Sequence, residues 1–140
     1  VGALDPNPDA IDVAEVKKWT SAGHIIWHGA LDDVRTALNA AHVYVLPSYR
    51  EGTPRTVLEA MATGRAIITT DAPGCRETVQ QGVNGFLVPV RDSVSLAKAM
   101  ETFLVHPELI DRMGKESRRI ATEKFDVDQV NAVILDAMGL

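Results

Sequence analysis

Two glutamates with seven residues between them flank the start of a helical pattern. Glu51 lies in the polar run 47–52, and Glu59 stands about one turn into the segment that opens at Pro54. Between them come Gly52, Thr53, Arg55, Thr56 and Val57. Thr53 suits the N-cap, Pro54 the first helical position, where a missing N–H is no loss, and Gly64 a left-handed C-terminal cap. A helix placed in this way leaves the N–H groups of Arg55, Thr56 and Val57 beside the positive end of its dipole, a site suited to a phosphate. Gly52 lets a ligand approach the backbone closely, and Glu51 can reach past a bound diphosphate to the group it carries. Val57, Leu58, Met61 and Ala62 define the expected buried stripe, from which Glu59 turns away toward ligand or water. The same spacing also fits an i, i+4 surface ion pair of Arg55 and Glu59, worth roughly a few tenths of a kcal/mol, with Glu51 an ordinary loop charge. Spacing alone leaves both readings open.

The elements that must hold these residues follow from periodicity. Short apolar runs at 1–4, 25–28, 43–46, 66–69 and 86–88 read as strands, most of them apolar throughout, as in parallel strands covered on both faces. Helical patterns occupy 12–22, 33–41 and 54–63, with a short one near 75–81. Three more, 93–105, 108–123 and 127–138, follow with no strand between them. The alternation predicts an α/β fold: a Rossmann-like doubly wound parallel sheet of about five strands, helices on both faces and a helical C-terminal extension. Asp5-Pro6-Asn7-Pro8 and Asp71-Ala72-Pro73-Gly74 are turn-rich and each follows a strand pattern, which puts both at the carboxyl edge of the sheet, where such folds bind ligands.

Composition narrows the classes. The 140 residues are 46% hydrophobic and 24% charged, as in one globular domain with a single core. A formal net charge of -5 disfavours a nucleic-acid partner or an anionic membrane surface, and 5% aromatic residues argue against a stacking platform for single strands. Cys75 is the single cysteine, so no intrachain disulfide and no all-cysteine metal cage is possible, and it reads as a small packed side chain. His24 and His28 read as strand-end residues, and Asp71, Arg76 and Glu77 as turn and helix-end charges. Lys17 and Lys18 form the solvated face of a pattern built on Val13, Val16 and Trp19. No metal-ligand spacing is evident, and no apolar run approaches the roughly 18 residues a membrane span requires. The chain opens on Val1, and a domain cut from a longer protein is expected.

From Leu46 to Pro89 the sequence resembles the donor-binding motif region of glycosyltransferase family 4, retaining enzymes of GT-B fold. The two glutamates of that motif correspond to Glu51 and Glu59. The helix ending in Gly, buried strand, turn and Gly-Phe-Leu-Val-Pro strand that follow correspond to Gly64, residues 66–70, residues 71–77 and Gly85-Phe86-Leu87-Val88-Pro89. The resemblance implies that residues 1–140 are the C-terminal nucleotide-sugar-binding domain of such an enzyme. It further implies that Glu51 contacts donor-sugar hydroxyls and helps order the transition state, that Glu59 binds ribose hydroxyls, and that amides of Gly52, Thr53, Arg55, Thr56 and Val57 hold the diphosphate. The Leu31 backbone would lie along the base. The donor would be a nucleotide diphosphate sugar, a UDP-sugar by expectation, with no cofactor and no metal. The implied role is surface polysaccharide or glycoconjugate assembly.

Where the chain departs from the family, its first strand-helix segment, with an arginine and a lysine that grip the diphosphate, is missing, as is the N-terminal acceptor domain. A glycan or lipid-linked acceptor and any membrane association would belong to that missing half, and the last helix would pack back on its own domain or cross to the absent one. The expected location is cytoplasmic, at the inner face of the membrane for the full-length protein, and residues 1–140 alone are expected to be inactive. Two other functions are open: another GT-B enzyme such as a sugar-nucleotide epimerase, and a non-catalytic nucleotide-binding module.

Overall fold

The computed structural model describes residues 1–4, 7 and 10–139. Apart from Asn7, the turn-rich Asp5-Pro6-Asn7-Pro8 lies outside the described residues. The chain divides into two compact units, Val1–Ala37 and Leu38–Leu140.

The first unit is built on α1 (Val13–Ser21). The carboxylate of Asp12 accepts the Ala14 N–H at 2.8 Å and so caps the helix start, and the Ala22 N–H closes the end on the Lys18 carbonyl. The expected strands at 1–4 and 25–28 are not formed. These segments meet through the Gly2 N–H on the Gly29 carbonyl, 2.8 Å, and the Trp27 indole N–H on the Gly2 carbonyl, 3.1 Å, but no ladder joins them. The reason is burial. Ile26 is 81% exposed and Val1 63%, so these apolar runs gain too little cover to offset ordering a paired strand. Asp33 then accepts the Arg35 N–H and side chain ahead of α2 (Arg35–Ala40). These hydrogen bonds hold the Asp33 carboxyl at about 2.

The second unit carries a parallel sheet of β1 (Val43–Leu46), β2 (Ala66–Thr70) and β3 (Gly85–Val88), in the order β1-β2-β3. Among the described residues the sheet therefore has three strands, against about five expected. Val43 pairs with Ala66 and Ile68 with Phe86, and every residue of the central strand β2 is buried. Alternation sends Val43, Val45, Ala66, Ile68, Phe86 and Val88 to one face. There they pack with Ala99 and Phe103 of α4 (Ser93–Val105) and Met113 of α5 (Glu108–Lys124). The Phe86 and Phe103 rings lie 5.3 Å apart in a tilted pair. Helix α3 (Arg55–Ala62) contacts β1 and β2 and covers the other face, so helices do flank both sides of the sheet.

The short helix expected near 75–81 is absent. Residues 71–78 make successive turns: the Arg76 N–H reaches the Ala72 carbonyl, but Gly74 lies at φ +84° and Thr78 folds back on the Cys75 carbonyl with both its N–H and its hydroxyl, which ends the helical run. Cys75 is fully buried, as a small packed side chain. The last helix, α6 (Val127–Met138), buries none of its residues and leaves Val127, Val133, Ile134 and Met138 exposed.

Candidate functional site

Loop 47–54 leaves the carboxyl end of β1 and is held from several directions. The Thr69 hydroxyl donates to the Leu46 carbonyl at 2.8 Å, and the Thr70 hydroxyl donates to the Ser48 carbonyl. The Ser48 hydroxyl in turn donates to Glu51 Oε1 at 2.7 Å. The Glu51 N–H donates to the Pro73 carbonyl at 3.1 Å, and the following residue, Gly74, lies against the Glu51 and Gly52 backbone. A Cβ at Gly74 would stand 2.0 Å from the Gly52 carbonyl oxygen and 2.2 Å from that of Glu51. Only glycine fits this contact and this left-handed backbone together. The turn 71–78 thus sets where Glu51 sits.

The start of α3 differs from expectation in two ways. Pro54, not Thr53, occupies the N-cap position with extended backbone (φ -72°, ψ 113°), and no side chain caps the helix. A proline ring fixes φ near this value and needs no donor, so the helix begins one residue later, at Arg55, without a hydroxyl cap. In addition, the Val57 N–H is bonded to the Pro54 carbonyl at 3.0 Å, and its side chain is fully buried. Of the three amides expected to be open, those of Arg55 and Thr56 therefore have no acceptor among the described residues. Gly64 does take the left-handed conformation, φ +72°, just past the C-cap Thr63.

The buried stripe of α3 is Val57, Ala60 and Met61, while Leu58 is half-buried and Ala62 exposed, because the i, i+3, i+4 set that faces the sheet is centred one residue away from the expected one. Glu59 still points away from the core. Its carboxylate lies 3.9 Å from the Arg55 guanidinium with no hydrogen bond, and that Arg55 side chain is 91% exposed. At such exposure the pair contributes at most a few tenths of a kcal/mol, by order of magnitude. Glu59 also lines a groove of about 450 Å³ with Leu58, Arg118, Thr122 and Phe125.

The residue that shows these groups to be neighbours was not singled out in the sequence. Burial raises the Tyr44 phenol above its ordinary range, a hydrogen bond with Thr56 acts to lower it, and the charges of Glu59 and Glu51 push it further up. Tyr44, on the α3 face of β1, thus lies near enough to Thr56, Glu59 and Glu51 to feel all three. Gly52 and Thr53 are exposed on the loop between them. A polar-tipped aromatic within an otherwise aliphatic strand was the available signal for Tyr44, and a Pro-Gly pair in a turn was the signal for Gly74.

Leu31 belongs to the first unit, half-buried in a stretch without regular structure. His24 and His28 are exposed there, and Lys17 and Lys18 occupy α1. Arg76 pairs with Asp71 at 2.9 Å, as turn charges, while the Glu77 carbonyl accepts the Lys124 ammonium. No group of three or more possible metal ligands occurs among the described residues.

An open helix start, two carboxylates near a half-buried phenol and a parallel-sheet edge are features suited to a phosphorylated, hydroxyl-rich ligand. The chain is 29% identical over 123 residues to the N,N'-diacetylbacillosaminyl-diphospho-undecaprenol alpha-1,3-N-acetylgalactosaminyltransferase of Campylobacter jejuni, a match covering 88% of this chain and 32% of that protein. Its fold matches the crystal structure of Anabaena Alr3699/HepE in complex with UDP-glucose at a TM-score of 0.80 and 26% identity, over 91% of this chain and 36% of that one. It also matches the C-terminal domain of the glycosyl transferase group 1 family protein LpcC from Francisella tularensis, with a TM-score of 0.73 and 26% identity, over 86% of this chain and 66% of that one. The chain thus spans about a third of the length of the Campylobacter and Anabaena proteins. A family model described as Glycosyl transferases group 1 matches residues 1–106, and the chain belongs to that family.

Proposed function

We propose that residues 1–140 form most of the C-terminal donor-binding domain of a retaining family 4 glycosyltransferase, one that transfers sugar from a UDP-sugar to a glycan or lipid-linked acceptor. The observation that carries this reading is the open start of α3, where the Arg55 and Thr56 amides have no acceptor among the described residues, with Glu51 held by Ser48 just ahead of it and Glu59 one turn in. Transfer builds negative charge on the departing diphosphate and positive charge on the sugar ring. Amides fixed at Arg55 and Thr56 meet the first without reorganising, and a carboxylate held at Glu51 meets the second. Glu59, with no hydrogen-bond donor among the described residues, is left to accept from ribose hydroxyls. The diphosphate charge is met by amides and by basic residues from outside residues 1–140, with no metal required.

Relatives and structural neighbours support a nucleotide-sugar donor through the UDP-glucose bound in the Anabaena protein, and a lipid-linked acceptor through the undecaprenol named for the Campylobacter enzyme. In this reading the chain lacks the first strand and helix of its domain and the half that supplies most acceptor contacts. Among the described residues β1 is the outer strand beside β2, apolar but for Tyr44, and its pattern suits one more parallel strand. No helix among the described residues is long and apolar enough to cross a membrane, and we place the whole protein in the cytoplasm, at the inner membrane face, working in surface polysaccharide assembly. Residues 1–140 alone are inactive in this account. Glu51→Ala in the intact protein is expected to abolish most transfer while leaving UDP bound, and turnover near that of the unaltered enzyme would remove the role given to Glu51.

A further inference from the structure

A cavity of about 460 Å³ opens at the carboxyl edge of the sheet, on walls that include Pro47, Tyr49, Thr70, Arg91, Asp92 and Leu96 but neither glutamate of the donor motif. Its size lies within the roughly 300–1,000 Å³ of small-molecule sites, and its mix of apolar walls with a few polar groups is typical of them. The Arg91 guanidinium stands 5.1 Å from the centroid of the Tyr49 ring, and no carboxylate lies within ion-pair distance of it among the described residues. The neighbouring Asp92 is already committed. It caps α4 by accepting the Ser95 N–H at 2.9 Å and the Ser95 hydroxyl at 2.6 Å, bonds that hold its carboxyl below the usual range. Arg91 itself sits at φ 60°, the one non-glycine residue in the left-handed region among those described. The cavity therefore offers a cation with no carboxylate partner among the described residues, over an aromatic ring, in a chain whose net charge is negative.

A guanidinium is a planar fork that takes a phosphoryl or carboxyl group through two parallel hydrogen bonds. Beside it, Tyr49, Pro47 and Leu96 give a flat, largely apolar wall suited to the carbon-bound hydrogens of a sugar ring. One short chain of hydrogen bonds joins this cavity to Glu51: Thr70, on its wall, donates to the Ser48 carbonyl, and the Ser48 hydroxyl donates to Glu51. Resting on the transferase reading above, we propose that this cavity is an acceptor subsite for an oxyanion-bearing saccharide, with the phosphoryl or carboxyl group on Arg91 and the sugar ring against Tyr49.

The test is calorimetric titration of the intact protein with glucose 6-phosphate, glucuronate, glucose and, separately, UDP. At least one of the two anionic sugars should bind about tenfold or more tighter than glucose, and which of the two binds better identifies the group. Arg91→Gln should erase that preference and Tyr49→Ala should weaken all three sugars, both variants keeping UDP affinity within about twofold. Equal or absent binding of the three sugars, an anion preference that survives Arg91→Gln, or a parallel loss of UDP affinity in both variants would overturn the proposal. Failure of the unaltered protein to bind UDP strikes instead at the donor reading, and the sugar titrations still report on the cavity.

Discussion

Glu51 and Glu59 are held in different ways. The Glu51 side chain accepts from Ser48, and its backbone is fixed by the Pro73 carbonyl and by the close approach of Gly74. Among the described residues Glu59 has only the loose, exposed partner Arg55 at 3.9 Å. The first suits a group that must be in place when charge develops, the second a group that waits for ribose hydroxyls. Gly74→Ala should therefore act as a positioning defect. Its Cβ would collide with backbone rather than with a yielding side chain, so the Glu51 loop must move. We expect kcat to fall at least about tenfold, roughly 1.4 kcal/mol or more in the barrier, with a smaller change in donor KM. Unchanged kcat would show that the loop tolerates the shift. Both glutamates were legible in the sequence because a loop, a proline and a helical period sit side by side there. Tyr44, Ser48 and Gly74 were not, because their importance lies in contacts between segments that pattern reading treats one at a time.

Helix α3 presents its start to ligand only if its far end is anchored. Gly64 and Gly114 provide the anchor. A Cβ at Gly114, inside α5, would stand 2.3 Å from the Gly64 carbonyl oxygen, so the two backbones meet with nothing between them. Gly114→Ala should destabilise the protein by about 1–3 kcal/mol, the range for overpacking at a close contact, and lower the urea midpoint at unchanged m-value. A midpoint equal to that of the unaltered protein would show that α5 can slide away freely. The bounds of α1, α4 and α6, and those of β1, followed closely from helical periodicity and apolar runs. The start of α3 did not, because Thr53 carries the side chain expected of a cap while Pro54, set down for the first helical position, takes the cap position with extended backbone. The helix expected near 75–81 failed because Gly74 and the back-bonding Thr78 override a weak helical pattern.

Taken whole, the chain leaves apolar surface that its own residues do not cover. Val133, Ile134 and Met138 of α6 are exposed, and so is Ile26 in the first unit. Surface of this kind is expected where a larger protein continues the fold. Ile134→Asp should change the stability of residues 1–140 by no more than about 0.5 kcal/mol, as for an exposed site, yet lower that of the intact protein by about 1–3 kcal/mol; paired urea titrations would decide. Equal effects in both would show that α6 stays uncovered. The fold class could be read from the alternation of elements, whereas the strand count could not, since strands at 1–4 and 25–28 need neighbours that a sequence pattern does not guarantee. Whether a nucleotide diphosphate sugar sits at the start of α3 is decided by the crystal structure of the intact protein with UDP bound. The account predicts the diphosphate within hydrogen-bond distance of the Arg55 and Thr56 amides and the ribose hydroxyls on the Glu59 carboxylate; a diphosphate bound away from α3, with Glu59 still facing Arg55 and water, would contradict it.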